Sequence, residues 1–173
     1  MHRSLNWLIL AVFSLAFCVD IAAVDSASAA NTTCNFDTEK QIAVDYEQVH
    51  LSPGKKVLGG SVPYGKVWAP GGKPLTLFTN TPLTIGGANI ADGAYTMFVI
   101  PEEKSWTLVI SKCTDTSGKY DEAHDLARIP MQFGKLPQAE PAFTAYFAHV
   151  ATNQCNLRLD LDKDRAWVVF QRK

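Results

Sequence analysis

Along residues 59–111 the chain sets short apolar runs between glycine and proline turns more densely than anywhere else. Residues 105–112 give the clearest strand. Trp106, Leu108 and Ile110 fall on one face and Thr107, Val109 and Ser111 on the other, the two-residue period of a half-buried strand. Residues 94–100 (AYTMFVI) are rich in aromatic and β-branched side chains and run into Pro101, which has no N–H to give to a ladder. The polar PEEK between these two runs is of hairpin length. Residues 75–79 and 83–85 predict two more short strands, split by Asn80, Thr81 and Pro82. Gly86 with Gly87, and Asp92 with Gly93, mark turns.

The last third alternates as strongly. Phe143, Ala145, Phe147 and His149 share one face of a strand over residues 143–150. Leu157, Leu159 and Leu161 point inward while Arg158, Asp160 and Asp162 face water; a turn at Lys163 and Asp164 then returns the chain as RAWVVF, residues 165–170. Residues 136–141 (LPQAEP), with two prolines, read as an exposed connection. Upstream, residues 41–46 predict an edge strand or the start of the fold, residues 48–52 another strand, and Pro53 with Gly54 a turn. The end charges of residues 120–128 suit a short helix. The sum is eight or nine strands and at most one short helix, which predicts an all-β, single-domain β-sandwich or jelly-roll-like fold.

VPYGKVW followed by a glycine-containing turn, then IGG, then DGAYTMFVIPEEKSWTLVIS, resembles a bacterial family catalogued as a domain of unknown function, number 2911. YDEAHDLARI and the closing pair of strands fit the same pattern, so the resemblance covers roughly residues 50–173. It implies a secreted or periplasmic all-β domain without an agreed activity, and a strand over residues 125–131 in place of the helix. One departure stands out. In the family pattern the tryptophan is followed by an arginine and then by Gly-Ala-Asn-Glu, whereas here Trp68 is followed by Ala69, Pro70, Gly71, Gly72, Lys73 and Pro74.

The opening adds a targeting signal to this picture. Arg3 precedes an apolar run over residues 8–19, too short to span a bilayer, and Ala27, Ser28 and Ala29 match the small-residue rule of signal peptidase. Residues 1–29 are therefore expected to be a cleaved signal peptide, followed by an N-terminal segment over 30–49 and the β domain over 50–173. Lipid attachment at Cys18 is a weaker alternative, because phenylalanine precedes it where a small residue is needed. The expected location is periplasmic or secreted, with no stable membrane insertion after cleavage. Residues 1–29 carry Arg3, Asp20 and Asp25, so 16 − 1 = 15 basic and 17 − 2 = 15 acidic residues remain. That balance gives no electrostatic reason to expect nucleic acid as a partner. Cys34, Cys113 and Cys155 remain too, and three single bridges are open to them. Cys113 and Cys155, each at a strand end, are the pair expected to meet.

Chemistry is sparse. His50, His124 and His149 stand far apart in no metal-ligand spacing, no C-x-x-C occurs, and neither metal nor cofactor is expected. No G-x-S-x-G marks a nucleophile. Asp121, Glu122, His124 and Asp125 form the densest polar cluster, either a solvated loop or an acid–base site. Tyr64, Trp68 and Tyr95 lie close to turns, either as packing or as a flat platform for a sugar, with Lys66 and Arg128 as polar contacts. The leading expectation is a non-catalytic binding or structural module for a small ligand, glycan or envelope protein. The alternative is a hydrolase using His124 with Asp121 or Asp125.

Overall fold

A computed structural model describes residues 27–52 and 54–173 of the 173-residue chain. Most of the expected signal peptide, Cys18 included, and Pro53 of the expected turn lie outside the described residues. Nine strands follow in order: β1 (Ala27–Asn35), β2 (Gln41–Val49), β3 (Leu75–Thr79), β4 (Leu83–Ile85), β5 (Ala88–Ile90), β6 (Gly93–Pro101), β7 (Trp106–Ser111), β8 (Asp125–Ala151) and β9 (Gln154–Arg172). They form one antiparallel sheet in the order β1-β2-β3-β6-β7-β8-β9-β4-β5. The only helical turns among the described residues are 3-10 turns at Pro70–Gly72 and Glu122–His124. The fold is all-β. The segment over residues 120–128 divides between the second of these turns and the start of β8.

β8 and β9 carry the sheet around its bend. The first part of β8 pairs with β7 as far as Met131, and from Gln132 onward it pairs with β9. Three register shifts interrupt the second ladder, two at the bend, between Lys135 and Glu140 and between Glu140 and Thr144, and one near its end, between His149 and Ala151. The expected turn at Lys163 and Asp164 is not a hairpin. Both residues lie inside β9, and the 136–141 connection lies inside β8, because the two long strands bend side by side.

The bend lays the two halves of the sheet over one core. Tyr46 of β2 and Trp68 both meet the ring of Phe143 of β8 edge-on, at centroid distances of 6.0 and 5.6 Å. The Leu51 N–H donates to the Pro141 carbonyl at 2.8 Å, and the Phe147 N–H donates to the Thr32 hydroxyl at 2.9 Å. Leu77, Met97, Trp106, Leu108, Leu157 and Phe170, drawn from both halves, are fully buried. Burying side chains of this size is the main source of stability in a domain of this length.

β7 is not half-buried as its alternation suggested. Val109 and Ser111, on its outer face, are as buried as Leu108. Residues 112–124 fold back across that face as a strap, and the Tyr120 ring packs edge-on against Phe98 at 5.2 Å. The Thr96 hydroxyl under the strap donates to the Cys113 carbonyl at 2.5 Å. The expected bridge is corrected as well: Cys34 of β1 is joined to Cys155 of β9, with Cα atoms 6.5 Å apart, and Cys113 is free. Cys113 follows Ser111, which lies opposite Asp125 at the start of β8, whereas Cys155 lies opposite His149 near its end. The length of β8 keeps those two apart, and the folding of the sheet brings β1 to Cys155 instead.

Candidate functional site

A cleft of about 780 Å³ opens where the bends of β8 and β9 meet the loop after β2. The loop is wound by its own hydrogen bonds. The Lys55 N–H donates to the Ser52 carbonyl at 3.1 Å, Val62 N–H to Val57 at 2.9 Å and Gly59 N–H to Val62 at 2.8 Å. Gly59 has φ 69°, and a Cβ there would come within 2.6 Å of the Tyr64 ring, so glycine lets that ring lie flat against the turn. Beyond it, Gly65 N–H donates to Pro101 at 3.0 Å, and Trp68 exchanges both backbone bonds with Val99 at 2.8 and 3.0 Å. Leu51, Val57, Leu58, Tyr64 and Leu161 contribute the apolar part of the wall. On the opposite side stand Ala139, Glu140 and Pro141 of β8 with Asp162, Lys163 and Asp164 of β9. Asp162 has φ 53° and is the one non-glycine residue at positive φ among the described residues. Such a conformation at the lip of a concavity, beside a sheet irregularity, is a recurrent feature of binding sites.

Charge around the cleft is unevenly neutralised. Lys135 is paired with Asp164 and lies 5.4 Å from the Phe133 ring centroid. Next to the rim, Arg165 grips Asp160 with both forks, Nε at 2.8 Å and the second nitrogen at 2.6 Å. This bond, with the neighbouring carboxylates, raises the Arg165 pKa above the ordinary guanidinium value. Arg158 and Arg165 lie over the Tyr146 ring at 5.9 and 5.7 Å. A second groove of about 450 Å³ runs along Asn31, Asp45, Glu47 and Lys73. Its polar groups satisfy one another: Lys73 holds Glu47 at 2.8 Å, and Asn31 donates to Asp45.

The acidic cluster seen in the sequence forms a latch at the end of the strap. The Tyr120 hydroxyl donates to Asp125 Oδ2 at 2.6 Å and accepts from Arg128 at 2.6 Å, while Arg128 Nε donates to the same carboxylate oxygen at 2.8 Å. Arg128 also reaches Glu122 at 3.0 Å. Burial first, then the bond to Asp125, pushes the Tyr120 phenol above its usual value, and the bonds to Asp125 and Tyr120 raise Arg128. His124 turns the other way, with Nδ1 3.2 Å from Asp121. An acid–base pair of His124 with Asp125 is therefore not what these side chains make. Among the described residues, no group of three or more His, Cys, Asp or Glu side chains is placed to hold a metal ion.

Two separate sets result: Asp125 and Arg128 join Tyr120 in the latch, and His124 pairs with Asp121, one of the two partners named for it from the sequence. Tyr64 alone of the aromatic trio lines the cleft. Trp68 is spent on the core against Phe143. Tyr95 caps its own turn, its hydroxyl donating to the Ala91 carbonyl at 3.1 Å. Lys66 is exposed near Tyr64 in sequence but does not line the cleft. From the sequence, Lys55 and Lys56 read as a solvated surface pair and Lys163 as part of a turn, and the bends that carry Glu140 and Asp162 were missed. The available signal was the pair of prolines in 136–141 beside a strand whose inward positions change parity.

The sequence model of the family described as "Protein of unknown function (DUF2911)" matches residues 27–170. The chain belongs to this family. No curated protein and no solved structure matches it. The DUF2911 match begins at Ala27 and takes in β1 and β2, which form a complete ladder from Ala27 opposite Val49 to Asn35 opposite Gln41. Within the DUF2911 match, Gly65 and Trp68 anchor the cleft loop to β6 through Pro101 and Val99. In the departing segment, Gly71 has φ 74°, and a Cβ there would meet Glu47 at 2.6 Å and Val49 at 2.9 Å. This DUF2911 chain therefore presses the turn after Trp68 against β2 and clamps it with Lys73 on Glu47.

Proposed function

We propose that this DUF2911 domain is an extracytoplasmic, non-catalytic binding module that holds a small ligand in the cleft at the β8–β9 bend. The observation that carries the reading is the cleft itself: about 780 Å³, partly apolar, with polar groups around its mouth, within the size range of small-molecule sites. The Cys34–Cys155 bridge supports an oxidising compartment, as does the targeting signal read in the sequence. The non-catalytic part rests on the latch, where Asp125 Oδ2 is held by Tyr120 and Arg128 and not by His124, while the buried Asp125 Oδ1 has no hydrogen-bond partner. No helix among the described residues is long and apolar enough to cross a membrane.

The test is protein-observed NMR of the purified domain against a fragment library, with Val57→Trp as the filled-cleft variant. Fragment shifts should gather on Tyr64, Leu161 and Lys163, disappear in Val57→Trp and survive His124→Ala. Shifts gathering on His124 and Asp121, with a hydrolytic activity lost in His124→Ala, would establish the hydrolase reading instead.

A further inference from the structure

We infer that the ligand of the cleft is an amphipathic anion: an alkyl chain bearing a carboxylate or similar head group. This rests on the cleft being the ligand site, and it names the ligand's class. Two observations lead to it. The first is the kind of apolar surface present. Leu51 and Val57 are half-buried aliphatic side chains, Leu58 and Leu161 are aliphatic residues of the core that reach the lining almost wholly buried, and Tyr64 is the single aromatic ring there. Sugars are held by stacking on aromatic faces, and Trp68, the ring best suited to that, is turned into the core against Phe143. Aliphatic walls instead favour methylene chains, for which contact is non-directional and grows with the area removed from water.

The second observation is the charge left over at the rim. Four lysines and three acids line the cleft. Lys135 and Asp164 neutralise each other. Arg165 is already matched by Asp160, so Glu140 keeps its charge. Lys55, Lys56 and Lys163 remain, opposed by Glu140 and Asp162, which leaves a surplus of one positive charge, and all three lysines are exposed. An anionic head group is the complement of that arrangement, while a cation would meet the surplus of like charge. Two of the lysines lie on the loop and the third on β9, so a head group between them would join the two walls. The attraction is exposed to solvent and is therefore screened by salt.

The experiment titrates the purified protein with octanoate, octanol and octyltrimethylammonium, followed by NMR shifts of the cleft residues. The expected result is that octanoate binds at least tenfold more tightly than either other probe. Lengthening it to decanoate should tighten binding by about fifteenfold, since each of the two added methylenes, once buried, is worth close to a fourfold step. Raising the salt, or making the Lys55→Gln, Lys56→Gln, Lys163→Gln triple variant, should abolish the preference over octanol without changing the folded spectrum. If octanol or the cation binds as well as octanoate, the anion preference is overturned while the cleft stands as a ligand site. If glucuronate shifts the cleft and octanoate does not, the alkyl part is overturned. If no probe shifts the cleft, the inference fails outright, and the fragment screen decides separately whether the cleft binds anything at all.

Discussion

Tyr120 holds the strap to the sheet through its ring on Phe98 and through a hydroxyl shared between Asp125 and Arg128. Tyr120→Phe keeps the ring and removes the hydroxyl. The Asp125 Oδ2 atom retains Arg128 Nε, so the expected loss is that of the hydroxyl's two hydrogen bonds, about 1–3 kcal/mol, read from urea unfolding at neutral pH. The pH dependence has a definite sign. Because the folded phenol is raised above the ordinary value of 10.0, its contribution is fully present below that pH and is lost as pH rises through the higher folded value. Among the five tyrosines, one should ionise late by absorbance at 295 nm, and that late step should be missing in Tyr120→Phe. An unshifted titration with all five tyrosines together would remove the latch from the account. At this scale the sequence showed which residues were dense in charge, but not their partners. His124 and Asp125 are adjacent in the chain, yet one faces Asp121 and the other faces Tyr120.

The bend in β9 is a change of parity within one strand. Its inward residues are Leu157, Leu159 and Leu161 before the bend, and Ala166, Val168 and Phe170 after it. Odd positions point inward first and even positions later, which a regular strand cannot do. β8 supplies the difference. Between Lys135 and Thr144 it advances 144 − 135 = 9 residues while β9 advances 164 − 160 = 4, a surplus of five. The surplus holds Pro137 and Pro141, which have no N–H to leave unpaired in an irregular ladder. The parity change also explains Asp160. Five residues from Arg165, it would face the opposite side in a straight strand, but here the two meet and Asp160 is only 2% exposed. Arg165→Met should strand that carboxylate and cost roughly 2–4 kcal/mol by chemical denaturation, and Asp160→Asn in the same chain should restore part of it. Equal stability of the Arg165→Met variant and the wild type would show that Asp160 reaches water. Most strands were legible from alternation, but β1, which fell on the expected signal-peptide end and a patternless polar stretch, and the short β5 were not. Nor was the continuity of β8 and β9, because a parity change and a proline pair look the same in sequence whether the chain turns or bends.

The disulfide ties the β1 edge of the folded sheet to β9. β1 is an edge strand, and the bridge from Cys34 to Cys155 crosses to β9 over a sequence separation of 121 residues. Closing so long a loop in the unfolded chain corresponds, in the chain-entropy description, to about 4–5 kcal/mol. That is a large share of the roughly 5–15 kcal/mol that holds a domain together. The Cys34→Ala, Cys155→Ala double variant should therefore unfold at a clearly lower urea concentration, and the wild type in reductant should follow it. Cys113→Ala, which breaks no bridge, should follow the oxidised wild type. The slope of the transition separates two routes to the loss. If the bridge acts on the unfolded ensemble, the chain without it expands further on unfolding and the slope steepens while the midpoint falls. If the bridge merely pins an edge, the loss is confined to β1. Hydrogen exchange then rises over Ala27–Asn35 and at the Phe147 amide, which Thr32 caps, while the main transition stays in place. The buried side chains shared between β1, β2 and β8 argue for the first outcome: Phe36 and Ile42, flanking the turn from β1 into β2, belong to the same core as Phe143 and Leu157, so loosening one end of the sheet exposes the other.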